Sequence, residues 1–462
     1  MTSLVTHLTS VPRETTGFLN RLKDKARKLM AMPQNAINLF IPLEEEKEDA
    51  LRDVLNTIRA DTHHNAILPL GQFSDVLHFA RFLIYEGPDH PQEYGSYLVF
   101  IANVDGPVED FLQRLVNKSS AGLDAILSAC RDYPPKRRRT RQARLQFLLK
   151  HQLPAQAFYI NTVGRGVKQI LEEDRLHQAL QDYLNSLTHP VTLSATELRL
   201  QLINHVAKSP DLFWALEPPE RPSLLWKAKE QLRFMTLVGL GTIVVIFTWP
   251  LILGWVVLVQ LKETGDEELA NRASLERLNE LRADEDFAVH NQFSAAGSLK
   301  PGLVRRLTAR SVLALAQVSL RHVFNKGDLA GIPLLGLDGV DTIHFAHWIM
   351  LDNDQRLLFA SNYDGSLESY MVDFIDKVSW GLNVVFSNGQ GYPRTNWLFF
   401  DGARNEERFK DYLGHHQLST LVWHTPYKHL SAVNIANNSE IRSGLRGRMN
   451  ETQAKAWLQR LT

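Results

Sequence analysis

The chain is poor in cysteine and carries no surplus of either charge. Cys130 is the single cysteine among 462 residues, and 51 basic residues balance 51 acidic ones. One cysteine excludes an internal disulfide framework and fits a reducing compartment. The balanced charge gives no overall attraction to nucleic acid. Because no apolar stretch precedes a small-residue cleavage site near the N-terminus, we expect no secretory signal peptide.

The sequence also lacks the motifs that mark common chemistries. It contains no P-loop, no dinucleotide-binding glycine fingerprint, no His-Glu-x-x-His and no Cys-x-x-Cys. The sequence therefore predicts neither a metal site nor a particular reaction, and it leaves open whether the protein is an enzyme.

One long stretch, residues 234–261, has no charged residue and is bounded by Arg233 and Lys262. It exceeds the roughly 20 residues that a helix needs to cross a hydrocarbon core. We therefore predict a membrane segment at 233–262. Basic residues precede it and acidic residues follow it, which predicts a cytoplasmic N-terminal side. The candidate membrane contacts are Phe234, Trp249, Pro250, Trp255 and Leu261.

Two topologies fit this segment. A single span is the simpler one, but it places the flanking parts of the chain on opposite sides of the bilayer. Pro250 can kink or break a helix. We therefore favour a re-entrant hairpin, which keeps both flanking parts together on the cytoplasmic face.

Short phrases of the first part of the chain recur in the second part in the same order. His-Phe-Ala at 78–80 recurs at 344–346, Asn-x-Asp-Gly at 103–106 recurs at 362–365, and His-Gln-Leu at 151–153 recurs at 416–418. Repeated phrases in a kept order predict an internal duplication.

Apolar periodicity predicts strands at 77–85, 96–104, 342–351 and 355–363, and each part follows a β-α-β-β-α-β order, the ferredoxin-like pattern. The predicted fold class is α+β, with two tandem ferredoxin-like halves packed as a pseudo-dimer, a helical connector and a membrane-inserted segment. The predicted units are a basic amphipathic N-terminal helix within 1–34, a first half at 35–180, a connector at 181–232, the membrane segment at 233–262, a polar linker at 263–289 and a second half at 290–462.

A basic cluster lies before the last predicted strand of the first half, and its members are Lys136, Arg137, Arg138, Arg139 and Arg141. Attraction to anionic lipid headgroups, worth about 1 kcal/mol per basic residue near the surface, is one interpretation. A solvated surface cluster is the other. No aromatic residues interleave with these cations, so we expect no nucleic-acid partner.

Residues that occur in both halves are more readily explained by the fold, so His78, His344 and both Asn-x-Asp-Gly turns are interpreted as structural. The second half differs by His347 in place of Arg81. Strand alternation predicts that His347, and not His344, faces the other half.

Histidines titrate near neutrality and arginine holds anionic groups, so we predict a binding cleft in the second half. The predicted ligand-binding residues are His347, Tyr363, Arg394, Trp397, His424 and Tyr427. The catalytic candidates are His347, Tyr363 and Asp364. The alternative is that these side chains lie in separate environments.

The phrases at 344–348, 361–366 and 391–395, with Asn-Lys-Gly at 325–327, resemble a family of bacterial membrane-associated proteins whose function is not established. That resemblance covers residues 35–180 and 222–445. The paired halves also resemble the dimeric α+β barrel group, which includes dye-decolourising (Dyp-type) peroxidases. This second resemblance implies haem held by a second-half histidine and an acid role for Asp364, although the first glycine of the peroxidase motif is absent here.

Three functions remain open at this point. The leading hypothesis is a membrane-anchored protein that binds an apolar or lipid-like small molecule in a cleft between the halves. The second is a haem-dependent or cofactor-free oxidoreductase that uses the same cleft. The third is a scaffold for a partner enzyme.

Overall fold

The computed structural model describes residues 32–86, 95–187, 193–269, 274–283, 285, 288–324, 326–327 and 342–461. The described part is α+β and includes two four-stranded antiparallel sheets. Residues 1–31, which include nearly all of the predicted N-terminal amphipathic helix, lie outside the described residues.

The described chain contains twelve strands and twelve α-helices. The strands are β1 (Gln34–Pro42), β2 (Leu77–Glu86), β3 (Ser96–Asp105), β4 (Ala157–Ile160), β5 (Thr162–Val163), β6 (His290–Ser298), β7 (Lys326–Gly327), β8 (Ile343–Leu351), β9 (Arg356–Asp364), β10 (Thr395–Asn396), β11 (Phe400–Asp401) and β12 (Val422–His424). The helices are α1 (Glu48–Ala60), α2 (Val108–Leu127), α3 (Arg141–Lys150), α4 (Val167–Ser186), α5 (Ala195–Lys208), α6 (Leu224–Glu263), α7 (Leu275–Arg282), α8 (Leu303–His322), α9 (Leu367–Phe386), α10 (Glu406–His416), α11 (Ala432–Ser443) and α12 (Glu451–Leu458).

Each large sheet receives its last strand from the other part of the chain. The first sheet has the order β1-β3-β2-β12 and the second has the order β4-β8-β9-β6. Strand β12, from the second part of the chain, pairs with β2, and β4, from the first part, pairs with β8. The prediction of two halves that each complete their own sheet therefore needs correction.

The segments that enter the exchanged strands explain this arrangement. The backbone N–H of Leu153 donates to Asn38 on β1, and the chain then continues along β8 as β4. In the same way, Leu418 donates to Ser294 on β6 before the chain reaches β2 as β12. Each segment thus joins an edge of one sheet to an edge of the other, which satisfies edge groups that would otherwise be left unpaired.

The layers are helices, first sheet, second sheet and helices. On β1, the odd-numbered residues Ile37, Leu39 and Ile41 pack under α1, α2 and α3. The alternate residue Phe40 packs against the second sheet, where it joins Ile349 and Leu358. This period of two is the alternation that a strand covered on both faces requires.

Helix α6 contains the apolar stretch. It is the one helix among the described residues that is long and apolar enough to cross a membrane. It continues without interruption through Pro250. The predicted re-entrant hairpin, with two half-helices meeting at Pro250, is therefore wrong. A proline removes one hydrogen bond from a helix, and the neighbouring turns can hold the helix together.

Both ends of α6 contact α8. Near the N-terminal end, Glu230 forms an ion pair with Arg321, with an N···O distance of 2.8 Å. Near the C-terminal end, the indole N–H of Trp255 donates to the Thr308 hydroxyl at 3.0 Å. Because the exchanged strands also hold the two sheets together, a span that separates the two parts across a bilayer does not fit this structure.

Candidate functional site

The residues predicted to share one cleft lie in three separate environments. His347 lies between the two sheets. Tyr363 lies on the opposite face of the second sheet, stacked on Tyr370 with 3.9 Å between ring centroids. His424 lies under the helices of the first sheet, 4.6 Å from the ring of His63. The prediction of a common cleft is therefore wrong, because His347 pairs opposite Ala360 and Tyr363 lies an odd number of positions further along β9.

The remaining predicted ligand-binding residues are also dispersed. Tyr427 is buried and its hydroxyl is 2.9 Å from Nδ1 of His78. Arg394 and Trp397 lie near the C-terminal end of α6, where the Trp397 N–H donates to Gln260 at 2.6 Å. Arg394 donates to the carbonyl of residue 266 at 3.0 Å. These contacts assign Arg394 and Trp397 to the docking of α6 on the body.

The basic cluster at 136–141 is partly engaged within the protein. The guanidinium of Arg139 lies 4.8 Å from the centre of the Tyr133 ring and is only partly exposed. The other four basic side chains are exposed. They remain candidates for contact with anionic lipid.

A buried polar network occupies the space between the sheets. Nε2 of His347 accepts from the Asn103 amide at 2.7 Å, and Nδ1–H donates to Asn38 at 2.8 Å. Burial, assisted by the charge of Arg81, lowers the pKa of His347 to about 3. Both ring nitrogens are engaged and the ring is neutral, so His347 is held as a structural group.

Arg81 reaches into the same space from the first sheet. Its guanidinium donates to the carbonyls of Phe293 and Ser361 and to the side chains of Ser294 and Asn362, all within 2.8 Å. Burial lowers its pKa to about 9. A buried charge requires this degree of hydrogen bonding. Satisfied polar groups thus fill this part of the space between the sheets, beside the apolar cluster of Phe40, Ile349 and Leu358.

A β-bulge turns two successive side chains towards the other sheet. The pairing of β2 shifts between Leu77 and Phe79, and the pairing of β8 shifts between Ile343 and Phe345. The extra residue lets His344 contact the first sheet, with its ring 5.3 Å from that of Phe79. The prediction that His347 alone faces the other half is therefore wrong, since both histidines do.

Each of these bulges supplies a histidine that holds a capping aspartate. Nε2 of His78 lies 2.9 Å from Asp105, whose second oxygen accepts from the Val167 N–H at 2.8 Å. In the second half, Nε2 of His344 lies 2.7 Å from Asp364.

The aspartates cap helices that are distant from them in sequence. Asp364 accepts from the Ala432 N–H at 2.7 Å, at the start of α11. Both aspartates therefore cap the helices that follow the exchanged strands, α4 and α11, and not the helices that come next in sequence. The first turn of α9 is capped by Ser366 instead.

The second half adds a third group to this arrangement. His290 lies with Nε2 3.8 Å from the Asp364 carboxylate, and its ring centroid is 4.7 Å from that of His344. Its Nε2–H donates to the Leu430 carbonyl. Burial lowers the pKa of His290 to about 3. His290, His344 and Asp364 offer three ligand atoms within 4.8 Å of one another. Motif spacing missed this group because its members are far apart in sequence.

A narrow apolar cavity lies between the second sheet and helices α9 and α10, and its empty space of about 580 Å³ includes a part that is open to solvent. Ala295 and Gly297 of β6 form part of its floor. The corresponding positions of β1 carry Leu39 and Ile41, as judged from the matched pairing of β1 with β3 and of β6 with β9. Ala295 leaves space that leucine fills in the first sheet, whereas the ring of His416 packs directly against Gly297.

Haem does not fit the predicted cleft. A haem-binding histidine needs a free ring nitrogen facing a cavity. His347 uses both nitrogens in the network between the sheets. Nδ1 of His424 lies 3.2 Å from Thr62, and its Nε2, which has no partner in the described part of the chain, is buried in the helical layer, apart from the other residues of the predicted cleft.

No protein-family model matches the chain, and no curated protein matches it. The function must therefore be inferred from the geometry of the chain's own residues.

Proposed function

We propose that this is a membrane-associated protein that binds an apolar or lipid-like ligand in the cavity over its second sheet. We further propose that its two parts are duplicated ferredoxin-like halves packed as a pseudo-dimer in which each half gives its last strand to the sheet of the other. The matched pairing of β1 and β6, and the matched His–Asp caps, support the duplication.

The exposure of α6 supports membrane association. Between its two contact regions the helix is apolar all round, and Phe247 is 79% exposed. Of the predicted membrane contacts, Trp249, Pro250 and Leu261 are exposed, whereas Phe234 and Trp255 pack on α8. Exposed apolar surface of this extent requires lipid or another protein to cover it.

The contacts of α6 at both ends favour immersion along one membrane face, with the folded body on that face. In this arrangement both flanks lie on the same side, so the basic-residue bias no longer decides the orientation. The single cysteine favours the cytoplasmic face.

The binding proposal rests on the cavity. Its lining is almost entirely apolar and includes Phe293, Phe359 and Leu382. Such a lining recognises a hydrocarbon chain by burial of apolar area, worth about 0.8 kcal/mol per buried CH₂. A ligand that partitions into the bilayer would be concentrated next to a body resting on it.

Binding can be measured with cis-parinaric acid, a fluorescent polyene fatty acid, added to the protein in lipid nanodiscs. Ala295→Leu introduces the residue found at the equivalent position of β1 and should fill the cavity. We expect at least tenfold weaker saturable binding with no loss of thermal stability. Ala121→Leu adds the same bulk at an exposed position of α2 and should bind as the unaltered protein does. Equal affinity in Ala295→Leu would refute this site.

A further inference from the structure

We propose that His290, His344 and Asp364 form a binding site for a divalent transition-metal ion of the Zn²⁺ or Fe²⁺ type. Their ligand atoms lie within 4.8 Å of one another, and all three side chains are almost fully buried. This inference is independent of the apolar cavity, which lies on the helical face of the second sheet.

The ligand set suits that class of ion. Two imidazoles and one carboxylate bind Zn²⁺ and Fe²⁺ and leave coordination positions open. Ligands about 2.1 Å from a metal lie roughly 3.0–3.4 Å apart when they are neighbours. Asp364 lies 2.7 Å from Nε2 of His344 and 3.8 Å from Nε2 of His290, the nitrogen that donates to Leu430. Side-chain shifts of about 1–1.5 Å would bring the ligand atoms from the observed limit of 4.8 Å to the separation of neighbouring ligands. The metal would replace the hydrogen bond from His344.

His290 is prepared as a ligand by its surroundings. Because its Nε2–H donates to the Leu430 carbonyl, the unprotonated nitrogen is Nδ1. That nitrogen is buried and has no hydrogen-bond partner among the described residues. An imidazole held by a backbone carbonyl, with its other nitrogen unpaired, is the usual state of a metal-binding histidine.

The first half shows that capping alone does not need this histidine. There, His78 and Asp105 make the same cap, and Gln34 occupies the position of His290 at the start of the first strand. The Gln34 amide donates to the Arg165 carbonyl at 2.7 Å and so holds the loop before α4. His290 makes the equivalent bond to the Leu430 carbonyl, two residues before α11. The feature that only the second half has is therefore the buried Nδ1 of this imidazole, unpaired in the described part of the chain.

A small cavity adjoins the proposed site. It is lined by His344, His78, Tyr427 and Asn161, among others, and has about 340 Å³ of empty space. These four polar side chains can hold water next to the metal. Three protein ligands with an adjoining polar space match the open coordination of catalytic sites better than the closed four-ligand form of structural zinc sites.

The test uses Co²⁺ as a spectroscopic probe. The full-length protein in nanodiscs is treated with a chelator, dialysed and titrated with Co²⁺. We expect visible d–d absorption that saturates at one Co²⁺ per chain and disappears on addition of Zn²⁺ or, without oxygen, of Fe²⁺. The ion that displaces Co²⁺ at the lower concentration identifies the preferred metal. Failure to develop a saturable absorption at stoichiometric Co²⁺ would overturn the proposal.

His290→Gln is the decisive variant because it copies the residue of the first half and should keep the fold. Circular dichroism checks the folding, and we expect Co²⁺ affinity to fall at least tenfold. His64→Gln removes an exposed histidine, 84% exposed in its side chain, and should leave the titration unchanged. If His290→Gln folds and binds Co²⁺ as the unaltered protein does, the ion binds elsewhere and the assignment is wrong.

Discussion

Protonation of His347 should make the protein sensitive to mild acid. In the folded chain, Nε2 of His347 accepts from the Asn103 amide, and Asn103 in turn accepts from Asn362 at 3.1 Å. A proton on Nε2 would face a second donor. The Asn103 amide would then have to turn over, which would break its bond to Asn362. One proton therefore disrupts the polar contact between the sheets.

The sign and size of this pH effect on stability follow from the pKa of His347. Burial lowers it from 6.5 to about 3. Between those values the unfolded chain binds more protons than the folded chain, so stability is lost as the pH falls through that window. From pH 7 to pH 4.5 this one histidine should lower the free energy of unfolding by about 2.5 kcal/mol. Domains are stable by only about 5–15 kcal/mol, so the effect is measurable.

The assay is urea unfolding at pH 7 and pH 4.5, followed by circular dichroism. His347→Gln retains one donor and one acceptor but cannot titrate. The difference in unfolding free energy between the two pH values should therefore be smaller in this variant by about 2.5 kcal/mol. His64→Gln, at an exposed site, should keep the full difference. An equal pH dependence in His347→Gln and the unaltered protein would refute this account of the network.

Three further outcomes are expected. Asp105→Ala and Asp364→Ala each remove a helix cap and the partner of a buried histidine, so thermal unfolding should show a similar cost of about 1–3 kcal/mol in each; a large difference would show that the two caps are not equivalent. Leu39→Ala should cost about 2–5 kcal/mol in urea unfolding, because the side chain is buried under the helices of the first sheet; a cost near zero would contradict that packing. Cysteines placed at Lys229 and Glu267, on the two exposed flanks of α6, should react with an impermeant maleimide from the same side of sealed vesicles; labelling from opposite sides would refute the lengthwise immersion.

Local patterns were enough to locate most of the secondary structure. Strands β2, β3, β8 and β9 begin and end within one residue of their predicted bounds. The uncharged run lies within the one long apolar helix of the described residues, α6. These features depend on hydrophobic periodicity and on length, which neighbouring residues specify. The structural interpretation of His78 and His344 also agrees with their contacts to the capping aspartates.

Local sequence patterns could not show which polar residues of the second half lie together. Alternation along a strand places side chains on two faces, but it does not say which layer covers each face. The bulges at Leu77 and Ile343 add one residue and shift the alternation, so His344 faces the same side as His347. No turn signal in the sequence marks these bulges.

Pairing between strands that are distant in sequence decided the sheet topology and the composition of the two candidate sites. A last strand such as β4 or β12 can satisfy its hydrogen bonds on either sheet, and only the three-dimensional course of the chain directs it to the other half. The same packing brings His290 beside His344 and Asp364, and sets small residues of β6 beneath α9 and α10. The apolar cavity and the histidine–aspartate group arise from contacts between distant segments, which hydrophobic periodicity cannot encode.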